Sequence, residues 1–140
     1  MAREILADTS GLYALLVAAD DCHGAACALL KSAAAQATRF VLTDHVLDET
    51  ATLLRARGHR AAARDLFDAI AASSACRVEW MTAERFDKTK VFFLRHADQP
   101  WSFTDCFSFV LMRELRISEA LTKDSHFAAA GFSVLLAPAA

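Results

Sequence analysis

Four acids, Asp8, Glu49, Asp105 and Asp124, each stand where an apolar strand-like or helical stretch meets a turn. Carboxylates at such junctions suit one chemistry well, the ligation of a hard cation by oxygen. Asp8 closes the run Glu4-Ile5-Leu6-Ala7 and is followed by Thr9-Ser10, residue types that start helices. Asp124 closes Ala120-Leu121-Thr122-Lys123 with the same grammar far downstream. In open α/β sheets ligands bind beyond the carboxyl ends of the strands, where the strand order reverses, so two aspartates at strand ends are candidates to meet.

Each acid also has an ordinary explanation. Ser102-Phe103-Thr104-Asp105 reads as a capping box, Asp8 and Asp124 can cap the helices that follow them, and Glu49 can be an exposed helix former. Taken together, the four point elsewhere. Two carboxylates 4 Å apart repel by about 4 kcal/mol at an effective dielectric near 20, so four in one pocket call for a cation. A set of oxygen ligands without histidine or thiol favours Mg²⁺ or Mn²⁺.

The elements that must position these acids follow from periodicity. Strands are expected at about 3–8, 39–43, 76–80, 118–122 and 133–136. Helices are expected at about 10–18, 22–36, 44–57, 59–73, 82–96 and 103–115, with a short helical turn at 125–130. Strands alternating with helices imply an α/β fold with a largely parallel sheet covered on both faces. On the helix from Asp44, a stripe of Val46, Leu47, Thr50, Leu53 and Leu54 places Glu49 on the flank, facing the edge of the core, and Asp48 toward water. The helix after Trp101-Ser102 is apolar almost all round, through Phe103, Cys106, Phe107, Phe109, Val110, Leu111 and Met112. It carries Asp105 into a setting where an unpaired carboxylate is costly.

The chain has 140 residues, matching one domain over 1–140, and a formal net charge of −2. No apolar stretch is long enough to span a membrane, and Met1-Ala2-Arg3-Glu4 lacks a signal-peptide pattern, so a cytoplasmic location is expected. Net charge does not exclude a nuclease, because bound cations would turn an acidic cleft attractive to phosphate. Cys22, Cys27, Cys76 and Cys106 read as buried thiols, and the paired-ligand spacing of a structural zinc site is missing. Arg55, Arg57, His59, Arg60 and Arg64 cluster around Gly58; without an interleaved aromatic they read as helix-end cations and a solvated face. Trp101 reads as a core or cleft-rim residue, and His126 as a helix-start residue rather than a ligand.

Four blocks in order carry a family resemblance: Asp8-Thr9-Ser10-Gly11-Leu12-Tyr13-Ala14-Leu15, Thr43-Asp44-His45-Val46-Leu47-Asp48-Glu49-Thr50, Phe103-Thr104-Asp105-Cys106-Phe107-Ser108-Phe109 and Leu121-Thr122-Lys123-Asp124-Ser125-His126-Phe127. Over essentially its full length the chain resembles PIN-domain proteins, and among them the VapC-type toxin ribonucleases of bacterial toxin–antitoxin pairs. The resemblance implies a three-layer α/β/α sandwich with a parallel sheet. Asp8, Glu49, Asp105 and Asp124 would bind one or two Mg²⁺ or Mn²⁺ ions, and Ser10 and Thr104 would steady the carboxylates or a substrate phosphate. It implies hydrolysis of RNA to 5′-phosphate and 3′-hydroxyl ends without a protein nucleophile, so none is assigned to Cys106 or Ser102. A cognate antitoxin is the implied partner. The apolar helical hairpin around 10–36 can supply its groove, a homodimer contact, or ordinary packing onto the sheet.

Two other readings compete. A PIN-like module could hold RNA or protein without cutting. A phosphoacceptor signalling domain would need an acidic pair after the first strand, where only Asp8 stands, and an aspartate after the middle one, which ends Glu79-Trp80-Met81. Lys123 is expected to point away from the side Asp124 faces if strand alternation continues that far.

Overall fold

The computed structural model describes residues 2–137. Successive strand residues divide between two cores. Ile5, Ala7, Phe40, Leu42 and Leu121 enter one, and Leu6, Val41 and Ala120 enter the other. Strands apolar on both faces belong to a parallel sheet covered on both sides, and the sheet is of that kind. Its strands are β1 (Glu4–Ala7), β2 (Arg39–Thr43), β3 (Cys76–Glu79), β4 (Glu119–Leu121) and β5 (Ser133–Val134), all paired in parallel in the order β3-β2-β1-β4-β5.

The helices are α1 (Thr9–Leu16), α2 (His23–Ala35), α3 (Asp44–Ala56), α4 (Arg60–Ala72), α5 (Ala83–Arg95), α6 (Phe103–Leu115) and α7 (Ser125–Ala129). Crossovers between parallel strands share one hand, so units stepping one way along a sheet lay their helices on one face and units stepping back use the other. The first core accordingly gathers α1 to α4 and the second α5 to α7, giving a three-layer α/β/α sandwich. The reversal falls between β1 and β4. No helix among the described residues is long and apolar enough to cross a membrane.

Hydroxyls set several helix starts. Thr43 Oγ1 accepts from the Val46 N–H at 3.0 Å, and Thr82 Oγ1 from the Arg85 N–H at 3.1 Å. The α3 stripe is buried at Val46, Leu47, Thr50 and Leu54, and α6 at Cys106 to Phe109, Leu111 and Met112. Trp101 lies in the second core. The cysteines need a correction. All four are free, but only Cys22 and Cys106 are buried, while Cys27 and Cys76 are half-buried on the walls of an apolar groove beside α1 and α4.

One contact ties α1 to the reversal point. A Cβ on Gly11 would lie 1.9 Å from the Leu121 carbonyl oxygen at the end of β4, so α1 can approach the strand only without a side chain there. Gly11→Ala must therefore push helix and strand apart. Overpacking of this kind costs about 1–3 kcal/mol, and chemical denaturation of the variant should show a loss of at least that size.

Candidate active site

The reversal between β1 and β4 brings two chain ends side by side. The Asp8 N–H continues the ladder by donating to the Leu121 carbonyl at 3.1 Å, which sets Thr122 against Asp8. The Thr122 hydroxyl donates to Asp8 Oδ2 at 3.0 Å and accepts from the Asp124 N–H at 3.0 Å. Ser10 Oγ lies 2.9 Å from Thr122 Oγ1 and accepts from the Lys123 N–H at 3.1 Å. A hydroxyl has one proton and two lone pairs. With the Thr122 proton committed to Asp8, Ser10 must donate to Thr122, and every hydrogen-bonding position of Thr122 is filled.

Asp8 precedes α1 at the capping position, yet its side chain does not cap the helix. It lies instead in the cleft, only 5% exposed. Burial pushes its carboxyl up to about 7, with the charges of Asp105 and Asp124 acting in the same direction, against hydrogen bonds from the Thr9 backbone and the Thr122 hydroxyl. Among the described residues no arginine or lysine pairs with it. The other acids arrive from different elements. Glu49 projects from the exposed flank of α3, as its helical angle requires. Asp105 closes a capping box on α6, in which Ser102 Oγ accepts from its N–H at 3.0 Å and its Oδ2 accepts from the Ser102 N–H at 3.1 Å. Asp124 caps α7 by accepting from the His126 N–H at 2.9 Å.

All four acids and Ser10 line one cleft of about 230 Å³. The ordinary capping roles of Asp105 and Asp124 are real and coexist with this convergence. Thr104 lies outside this cleft, on an adjoining hollow with His45 and Asp48 that shares Glu49 and Leu53 with it. One residue around a helix is a turn of about 100°, so Thr104 and Asp105 cannot face the same way. Lys123 departs from expectation. β4 ends at Leu121, strand alternation does not reach Lys123, and its side chain lies on the cleft wall beside Asp124. Its Nζ pairs with Asp20 at 3.0 Å and Asp21 at 2.8 Å, and hydrogen bonds to Asp21 and Asp20 raise its pKa.

Sequence reasoning missed Thr122, Asp20, Tyr13 and Arg57 at this site. Thr122 had a visible signal, as the hydroxyl two residues before an acid at a strand end. His126 does start α7, but its Nδ1 also lies 3.4 Å from both Asp105 Oδ2 and Asp124 Oδ1. One ligand atom from each of these three residues falls within a 4.8 Å cluster. A buried carboxylate without a cation partner, facing further carboxylates, is a donor set that a hard divalent ion fits. Cys106 is buried, and burial and then the Asp105 charge push its thiol up to about 11, which opposes formation of a thiolate. Ser102 Oγ is occupied by the α6 cap.

Residues 5–133 match the PIN domain family. The 23S rRNA-specific endonuclease VapC20 of Mycobacterium tuberculosis, from strains CDC 1551 and H37Rv, is 40% identical over 129 residues, covering 91% of this chain and 95% of the relative. The crystal structure of Mycobacterium tuberculosis VapC20, described as a sarcin–ricin loop cleaving toxin, superposes with a TM-score of 0.81 at 38% identity over the same shares of both chains. The family match spans the β1/β4 junction and the four acids, the similarity to VapC20 extends over nearly the whole chain, and the chain belongs to the PIN domain family, resembling its VapC-type toxin ribonucleases.

Proposed function

We propose that this chain, read as one PIN-like domain, is a divalent-cation-dependent endoribonuclease and the toxin of a toxin–antitoxin pair. It cleaves RNA to 5′-phosphate and 3′-hydroxyl ends. The observation that carries the reading is the convergence of four carboxylates from four separate segments on one cleft, with Asp8 buried and unpaired by any cationic side chain among the described residues. Similarity to VapC20 over nearly the whole of both chains supports large-subunit ribosomal RNA as the substrate and the cytoplasm as the compartment where it acts. An apolar groove lined by Leu12, Leu15, Leu16, Leu30 and Ile70 supports an antitoxin segment as partner.

Asp8, Glu49, Asp105 and Asp124 would hold Mg²⁺ or Mn²⁺. A divalent ion so held supplies Lewis acidity, easing deprotonation of a water and offsetting charge on the attacked phosphate. The chain's own residues set the geometry. Thr122 fixes the Asp8 carboxylate and, through the Asp124 N–H, the turn that presents Asp124. Ser10 holds Thr122 in that orientation, and Ser102 does the same for Asp105.

Calorimetric titration with Mn²⁺ tests the site without a substrate. Saturable binding to the wild type, sharply weakened in Asp105→Asn, is expected; binding that is absent or unaltered would sink the ribonuclease reading. Thr122→Val removes the donor to Asp8 while keeping the side-chain shape, and loss of such a supporting hydrogen bond should lower Mn²⁺ affinity by roughly 10- to 100-fold.

The buried acid also makes a pH prediction. Asp8 titrates from 3.8 when unfolded to about 7 when folded, so between those values the folded state binds more protons. Stability of the cation-free protein therefore falls as pH rises across that window, by at most about 1.4 kcal/mol per unit, and levels off above it. Denaturation curves across this range should lose most of that slope in Asp8→Asn.

A further inference from the structure

The acidic cleft repels the polyanion it is proposed to cut, and two cationic side chains stand on its wall, Lys123 and Arg57. Lys123 is engaged by Asp20 and Asp21. Arg57 is different. It is exposed, no carboxylate pairs with it among the described residues, and its guanidinium sits 5.0 Å from the centre of the Tyr13 ring. Tyr13 is itself buried, and its hydroxyl lies 3.2 Å from His59 Nε2, with the two rings edge to face at 5.8 Å. A guanidinium laid over a fixed aromatic face keeps its donor fork free for a planar or phosphate oxygen partner.

Beyond Arg57 the surface continues toward more arginine. Glu49 and Leu53 belong both to the cleft and to the neighbouring hollow, which Thr52 and Ala56 join to a third. The third shares Arg55 and Ala63 with a last hollow of about 480 Å³, walled by Arg55, Arg60 and Arg64. Of these arginines, Arg64 is paired, with Asp65 at 3.1 Å, and both partners are largely exposed, so the pair is weak. Of the residues lining these hollows, Asp48 and Glu49 are the acids and both lie at the cleft end, while Asp65, paired with Arg64, stands at the far end.

The geometry points to Arg57, held on Tyr13, as a phosphate-positioning residue for RNA entering the cleft, with Arg55, Arg60 and Arg64 continuing the backbone contact around the α3–α4 corner. This rests on the ribonuclease reading above. It reverses the sequence-based expectation of a merely solvated face, because the missing aromatic is supplied by a residue distant in sequence. Contacts of this kind carry no base information; they set register and affinity.

Two measurements separate the proposal from the reading it rests on. Cleavage of a synthetic RNA hairpin and of a dinucleotide is followed in Mn²⁺ for the wild type, Arg57→Ala and Arg57→Lys. Binding of the same hairpin is followed by fluorescence anisotropy over a salt series, in an Asp105→Asn background. For Arg57→Ala, the ratio of kcat/KM on hairpin to that on dinucleotide should fall about tenfold, and the slope of log affinity against log salt should drop by roughly 0.7. Arg57→Lys should restore much of the salt slope and less of the affinity. A wild type that cleaves neither RNA overturns the ribonuclease reading, while the anisotropy comparison still decides the role of Arg57. A wild type that cleaves while Arg57→Ala binds the hairpin with unchanged affinity and salt slope overturns the proposal, and leaves the arginine corner as a protein-facing surface.

Discussion

Everything at this site is conditioned by a carboxylate taken out of water at the end of β1. Asp8 is 5% exposed and faces two further acids, an arrangement that charge alone would disperse. The fold tolerates it by surrounding the group with donors. The Thr9 N–H and the Thr122 hydroxyl reach Asp8, the Ser102 N–H reaches Asp105, and the His126 N–H reaches Asp124. Asp8, Asp105 and Asp124 all belong to the starts of helices, where unpaired N–H groups and the positive end of the backbone dipole favour negative charge. Helix starts thus hold together a set of like charges that a divalent cation can then neutralise.

That constraint explains the economy of the architecture. Among the described strands the order reverses between β1 and β4, and there the two segments that follow the strands are free to diverge and leave a crevice. Gly11 lets α1 lie against the β4 carboxyl end, which brings Ser10 to Thr122 and, through Thr122, the turn of Asp124 to Asp8. Local backbone packing and site chemistry are the same contact seen at two scales.

How much of this could be read from residues alone depended on range. Element boundaries agree within two residues, because hydrophobic period and capping hydroxyls are local signals. Glu49 was legible from its helical angle, and Asp105 from an acid at the head of an apolar helix. Lys123 was misread because alternation was carried past Leu121, where the ladder stops. Thr104, named on a motif, stands one residue around α6 from Asp105 and so lines the adjoining hollow, a direction that a motif does not record. The pairing of Tyr13 with Arg57 and His59 joins α1 to the α3–α4 corner, and such a pairing exists only once the sheet has brought those helices together.

The double duty of Asp105 and Asp124 bears on how such a chain can decay. Both side chains hold a helix start as well as lining the cleft, so drift at either position is confined to small polar residues that can still accept a backbone N–H. Glu49, exposed on α3 with no capping role, carries no such debt to the fold. A lineage that abandoned cutting would shed Glu49 and the non-capping Asp8 first and retain the outlines of Asp105 and Asp124 long afterwards. A surviving pair of these two acids in a related chain would then be a fossil of folding rather than a sign of activity.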